Sequence, residues 1–357
     1  MSNTTDKAEK SILTFTVFSD LHYKKGMYIA DVKDLEKIID RAAKNQSDFL
    51  LHSGDLCNDY FGSPELTKAF LQNQYHLPVY GIYGNHELEG KNNCMQTVTP
   101  MLTNCADHVV WGTPSEKIED GLIAYYYFDT KGFRIICTDT NYSYNPQNKL
   151  WEHNPSPSYG PPKGNIYGDC LGDIQLAWLE NVLLDAAEKH LSCIVVSHAG
   201  FSGVWNSSQD WKKVQALFKA ANAKTPKTVM LAINGHYHQN HAAVVDHVLY
   251  LDIHSVFNGV WRLNNEQHYK EGQTFTYTDY DKTGTPVKTF QRNLTDLSMG
   301  KHTYFFNDPL SAVIKITPNG IITIKGTKTS WRYNVVPKEA LDDLSFGPEI
   351  TSRDVTI

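Results

Sequence analysis

Five short clusters of acid, amide and imidazole side chains punctuate the chain, and each follows an apolar run. They are Asp20-Leu21-His22, Gly54-Asp55, Gly84-Asn85-His86-Glu87, Ser197-His198 and Gly235-His236-Tyr237-His238. Two carboxylates (Asp20, Asp55), four imidazoles (His22, His198, His236, His238) and one amide (Asn85) are thereby offered as metal ligands, with His86 left over. Carboxylate oxygens mixed with imidazole nitrogens suit Mn, Fe, Zn or Ni rather than Ca, and no thiolate is needed. If the clusters meet, the chemistry they imply is hydrolysis at a two-metal site.

The spacing makes physical sense. In extended chain, residues i and i+2 point the same way, so Asp20 with His22, and His236 with His238, are each expected to offer two ligands to one side. Gly54, Gly84 and Gly235 each precede a proposed ligand and permit the sharp turns of a crowded site. Singly, the clusters are ordinary. His198 reads as a core histidine, Asp20 as a cap or turn residue, Asp55 after Gly54 as a turn, and Asn85-His86 as a loop pair. Only His236 with His238 suggests metal unaided. The joint reading prevails because every cluster is expected at the same sheet edge. Elsewhere, His52 reads as packing within a strand, and His241, His247 and His254 as structural.

The elements that must position these residues are legible from periodicity. Strands are expected over 12–18, 48–53 and 78–83, with helices over 31–44 and 64–75 between them. Short, continuously apolar strands alternating with helices fit a parallel sheet buried on both faces, whose ligands gather beyond the strands' carboxyl ends. A hairpin is expected around Thr130-Lys131-Gly132, a helix over 173–190, a strand over 193–196, a helix over 208–223, a strand over 228–233 and further strands over 242–256. Thr317-Pro318-Asn319-Gly320 marks a second hairpin. Residues 141–170 are dense in Asn, Pro, Tyr and Gly and read as a loop over the site. Tyr142, Tyr144, Trp151 and Tyr159 are expected to pack that loop onto the body rather than to stack on a base, and His153 in the loop is a candidate for contact with substrate.

The ordered set of clusters resembles the calcineurin-like metallophosphoesterase superfamily, on the small-molecule branch typical of bacteria, across residues 12–256. The resemblance implies an α/β fold, a four-layer α/β/β/α sandwich of two mixed β-sheets with flanking helices. It implies that Asp20, His22 and His238 bind one metal, that Asn85, His198 and His236 bind a second, and that Asp55 bridges both. The cofactors would be two transition-metal ions, Mn, Fe or Zn, with a hydroxide between them as nucleophile. His86 would be the catalytic residue, as general acid or as stabiliser of charge at the leaving oxygen. There are departures. Asn58, with Asp59 next to it, stands where many members carry an acid that holds the catalytic histidine. Asn58 also replaces the metal-binding Tyr of purple acid phosphatases. Glu87 stands where Asp is more usual and reads as a support for the loop.

Composition bounds the rest. The chain has 357 residues, 41% hydrophobic and 20% charged, which suits a sizeable core. The division expected is a disordered tail at 1–10, a metallophosphoesterase domain at 11–331 and a C-terminal extension at 332–357. Within the domain, 141–170 is lid-like and 257–310 is an irregular insertion, and 257–331 is expected to add strands to the second sheet. A formal net charge of -6 without a dense basic block speaks against long nucleic acid as a partner. A small phosphorylated substrate fits better, with cyclic nucleotides, nucleoside diphosphate conjugates and simple monoesters as candidates. The six cysteines contain no C-x-x-C pair and define no disulfide framework. No stretch approaches the about 20 apolar residues of a membrane span. As written the chain reads as cytoplasmic, and a chain trimmed of its signal would read the same. The rival readings are a binding or scaffold protein on the same fold, a nuclease and a protein phosphatase.

Overall fold

The computed structural model describes residues 12–23, 32–57, 64–87, 108–112, 125–153, 169–203, 207–257, 274–280, 286–293, 306–331 and 347–357. Expectations on residues 1–10, Asn58, Asp59, Tyr159 and much of 257–310 lie outside these. The chain begins with β1 (Leu13–Phe18), α1 (Val32–Lys44), β2 (Phe49–His52), α2 (Pro64–Leu71) and β3 (Val79–Gly81). The three strands pair in parallel. In α1 the apolar stripe Leu35, Ile38, Ile39 and Ala42 is buried, as helical spacing requires. α2 stops short of the expected Tyr75. The Asn73 side chain donates to the Phe70 and Leu77 carbonyls and accepts from the Leu77 N–H, which turns the chain into β3.

Next come β4 (Val110–Trp111), β5 (Tyr126–Thr130), β6 (Phe133–Cys137), β7 (Tyr142–Asn145), β8 (Leu150–His153), α3 (Gly172–Glu188), β9 (Ser192–Ser197), α4 (Trp211–Lys224), β10 (Val229–Asn234), β11 (His241–Val245) and β12 (Val248–Asp252). Seven of these strands build a sheet in the order β11-β12-β10-β9-β6-β5-β4. Its strands are apolar on both faces for two different partners. Ile194 and Val196 of β9 join the core shared with the first sheet, while Cys193 and Val195 join the core under α3 and α4. The layers are thus helices, sheet, sheet, helices. β7 and β8 form a separate hairpin at the start of the segment read as loop, with the Tyr144 and Trp151 rings 5.4 Å apart. Tyr142-Ser143-Tyr144-Asn145 alternates aromatic with polar residues, but the run is only four residues long and lies in a stretch dense in Asn, Pro and Gly, which is why periodicity passes over it.

The chain continues through β13 (Thr274–Tyr280), β14 (Pro286–Asn293), β15 (Ala312–Ile316), β16 (Ile321–Gly326) and β17 (Arg353–Thr356). The expectation that 257–331 extends the second sheet is not met. β15 pairs antiparallel with β1, from Leu13 opposite Ile316 to Val17 opposite Ala312. β16 and β17 follow, so the first sheet runs β17-β16-β15-β1-β2-β3. Without them β1 would be an open edge beside the buried Phe15 and Val17. Among the described residues, no helix is long and apolar enough to cross a membrane.

Two polar ties fix the second sheet. Arg134 on β6 is fully buried and grips Asp129 with two hydrogen bonds of 2.7 and 2.8 Å. It also donates to Asp185 at 2.7 Å and to the Val182 carbonyl at 3.0 Å, which pins α3. Replacing Arg134 with Met is expected to cost about 2 kcal/mol in thermal or urea unfolding. That is less than the roughly 3–5 kcal/mol of a fully buried pair, because both acids keep contact with water.

His241 donates to Asp252 across β11 and β12 at 2.9 Å, and this bond raises its pKa despite partial burial. A raised histidine pKa stabilises the fold fully below the unfolded value of about 6.5 and less as pH climbs through the folded value. The melting temperature of His241→Gln should therefore fall further below the parent at pH 6 than at pH 9.

Candidate metal centre

Every cluster named from the sequence lies at the carboxyl end of a parallel strand. Asp20 and His22 follow β1, Asp55 follows β2, Asn85 to Glu87 follow β3, His198 follows β9 and His236 to His238 follow β10. The two sheets are stitched together there. Val256 N–H donates to the Ser19 carbonyl at 3.0 Å, and Ser255 Oγ donates to the Asp20 carbonyl at 2.8 Å. His236 N–H crosses to Asp20 Oδ2 at 3.0 Å.

The side chains converge in three overlapping groups, Asp20-His22-His238, His22-Asp55-His86 and Asp55-His198-His236, each with its ligand atoms within 4.8 Å of one another. His22 Nε2 is 3.1 Å from His238 Nε2, which is itself 3.3 Å from Asp20 Oδ1. His198 Nε2 is 3.0 Å from Asn85 Oδ1, 3.2 Å from His236 Nδ1 and 3.1 Å from Asp55 Oδ2. Asp55 Oδ2 is also 3.7 Å from His22 Nε2, so this carboxylate lies between the two outer groups. One imidazole N–H can serve only one neighbour well, yet His198 Nε2 faces three. Two donors about 2.1 Å from a common metal stand about 3.0–3.4 Å apart at tetrahedral or octahedral angles. The observed separations fall in that range, so the donor set fits metal ions better than it fits hydrogen bonds.

His86 stands further back. Its Nε2 is 4.0 Å from Asp55 Oδ2, and its ring meets His22 edge-on at 4.7 Å. Its side chain is 23% exposed, against 8% for His22 and 1% for His198, so it is open to an incoming molecule.

The protonation pattern follows from burial and crowding. Burial opposes ionisation of Asp20, but His238 and His198 outweigh it and hold the carboxyl at about 2. Burial likewise works against charge on Asp55, yet His198 and His86 hold it well below the usual carboxylate range. Burial and the neighbouring His86 push His22 down to about 3, and burial with His198 lowers His236. Neutral imidazoles and ionised carboxylates are the forms that bind metal. His198 is the exception among them. Burial lowers it, but Asp55 lifts it to about 10.

The backbone achieves the convergence differently from the extended pairs expected. Asp20, His22, Asp55, His236 and His238 all have φ between +49° and +70°. Left-handed residues other than glycine are uncommon and cluster where function outweighs strain. The glycines serve close approach. A Cβ on Gly84 would lie 2.1 Å from Asp55 Oδ1, and one on Gly235 would lie 1.8 Å from Ser19 Oγ.

Two supports were not legible in the sequence in detail. Ser19 Oγ donates to Asp20 Oδ2, and nothing about a serine before an aspartate signals that bond. Glu87 is fully buried, and its carboxylate accepts from the N–H groups of Asp55 at 2.9 Å, Gly84 at 2.6 Å and Cys57 at 3.0 Å. It clamps the loop after β2 to the loop after β3. Burial and the nearby Asp55 charge push its pKa up to about 7. Glu87→Gln keeps the shape but turns one oxygen into a donor facing backbone N–H groups. It should lower stability by about 2 kcal/mol in denaturant unfolding, since each orphaned buried donor costs about 1–3 kcal/mol.

The calcineurin-like phosphoesterase family model matches residues 13–240. A dimetal phosphatase from Danio rerio shares the fold, with a TM-score of 0.55 at 12% identity, over 90% of this chain and 99% of that one. PhoD is also similar, with a TM-score of 0.45 at 14% identity, over 98% of this chain and 69% of that one. No curated protein matches it in sequence. With more than half its length matched by the family model, this chain belongs to the calcineurin-like phosphoesterases and is a metal-dependent hydrolase of phosphoric esters.

Proposed function

We propose that the chain hydrolyses a phosphomonoester or phosphodiester bond in a small molecule or nucleotide, at a centre of two metal ions. The observation that carries this reading is the set of donor separations of 3.0–3.3 Å on either side of Asp55. Asp20, His22 and His238 would hold one ion, and Asn85, His198 and His236 the other, with Asp55 shared between them. When bound, such ions supply the Lewis acidity that activates water and polarises a phosphoryl group.

The chain's own residues supply the rest. Asp20 and Asp55 bring charge that offsets that of the metals, and neutral imidazoles complete the sites. His86 is the imidazole set back from the others and open to solvent, so it can hold or deliver a proton at the leaving oxygen. Its backbone N–H donates to Asp55 Oδ1 at 2.9 Å, which fixes its distance from the shared carboxylate. The net charge of -6 leaves attraction of the phosphoryl group to the metals rather than to a basic surface.

Protein reconstituted with Mn should hydrolyse a chromogenic phosphodiester or monoester, and a chelator should abolish the activity. Asp55→Asn and Asn85→Ala should each lower the rate at least about 100-fold and lose metal by elemental analysis. His86→Ala should lower kcat by about 100- to 10,000-fold while keeping its metal. An unchanged rate in Asp55→Asn would sink the proposal, and a parent protein carrying far less than two metals per chain would favour the scaffold reading.

A further inference from the structure

The residues proposed for the second metal come from different sheets. Asn85 follows β3 of the first sheet, whereas His198 and His236 follow β9 and β10 of the second. Asn85 Oδ1 nevertheless lies 3.0 Å from His198 Nε2. Something must set the gap between two loops carried by separate layers. The stretch after β6, Asp139-Thr140-Asn141, is buried between those loops.

Thr140 Oγ1 accepts from the N–H of Ala199, the residue after His198, at 3.1 Å. Asn141 Nδ2 donates to the carbonyl of Tyr83 at 3.2 Å, two residues before Asn85. Adjacent residues thus hold the His198 loop with one hand and the Asn85 loop with the other. The stretch is itself anchored. Gln175 on α3 accepts from Asp139 N–H at 2.8 Å and donates to the Asp139 carbonyl at 2.7 Å. Asp139 Oδ1 accepts from both the backbone N–H and the Nδ2 of Asn141, at 2.9 and 2.7 Å. The amide orientation of Asn141 is set by these partners, since the reverse would point its oxygen at two acceptors. Its own Oδ1 is buried without a partner. A buried amide that leaves its oxygen unmatched is being used for its two donors.

We propose that Thr140 and Asn141 are positioning residues that set the geometry of the second metal's ligands, by fixing the spacing between the Asn85 and His198 loops. The proposal rests on the assignment of Asn85, His198 and His236 to that metal. The side-chain hydrogen bonds of Thr140 and Asn141 run to Ala199, Tyr83 and Asp139, and not to Asp20, His22 or His238 of the first group. Their effect should therefore be confined to one of the two metals.

The test is Mn titration of the metal-free protein by calorimetry, with stoichiometry checked by elemental analysis. The parent should bind two ions, and Asn85→Ala should identify the weakened step as the second site. Thr140→Val, which removes only the hydroxyl, and Asn141→Leu should weaken that same step about 10- to 100-fold and leave the other unchanged. Thr140→Ser, which keeps the acceptor, should restore it. A second site of parental affinity in Thr140→Val and Asn141→Leu, or equal weakening of both sites, overturns the proposal alone. A parent that binds a single ion overturns the metal assignment and this proposal together. Should Asn141→Leu fail to fold, because Asp139 Oδ1 and the Tyr83 carbonyl each lose a donor, the Thr140→Val and Thr140→Ser pair decides the matter.

Discussion

The carboxylate of Asp55 is a negative charge almost without contact with water, at the seam between two β-sheets. Burying such a charge is costly unless it is surrounded by groups that answer it. Around Asp55 the answer comes from every side. His198 approaches from the second sheet, His22 from the end of β1, and the His86 N–H from the loop after β3. The rest of the molecule is arranged so that these contributors can reach one point. Parallel strands do this well, since their carboxyl ends all open on the same edge.

Bringing five loops to one point strains the backbone and crowds it. The strain shows in the left-handed conformations of Asp20, His22, Asp55, His236 and His238. Such positions persist only where surrounding contacts over-determine them. Those contacts are visible. Glu87 ties down the N–H groups of Asp55, Gly84 and Cys57, while Asp20 is held by Ser19 and by His236 N–H. The Gly84 and Gly235 positions leave no room for a Cβ against Asp55 and Ser19. The same constraint explains why loops of different sheets are cross-tied directly beside the donor atoms.

The outer parts of the fold serve this edge at a distance. β15, β16 and β17 protect β1, the strand that carries Asp20 and His22. Arg134 locks α3 against β5 and β6, and α3 carries the Gln175 that anchors Asp139. None of these groups is placed in the chemistry, but loosening them would blur the separations of 3.0–3.3 Å on which the proposed metal sites depend.

Local pattern was enough to show much of the scaffold. Continuous apolar runs such as Cys193-Ile194-Val195-Val196 encode a strand packed on both faces, and the stripe from Leu35 to Ala42 encodes a helix, because both signals depend only on near neighbours. The sequence by itself also showed that acid, amide and imidazole groups fall at strand ends, since residue type and turn residues are local too. It could not show which sheet receives β15, because strand pairing joins residues some 300 positions apart, Leu13 with Ile316. It misjudged how Asp20 with His22 and His236 with His238 come to share a side, because left-handed turns depend on contacts from other loops. It had no means to find the bond of Glu87 to Cys57 or of Asn141 to Tyr83. Those links join side chains to backbone atoms, and backbone atoms are alike at every residue. Only the tertiary packing of strands and sheets decides which of them meet.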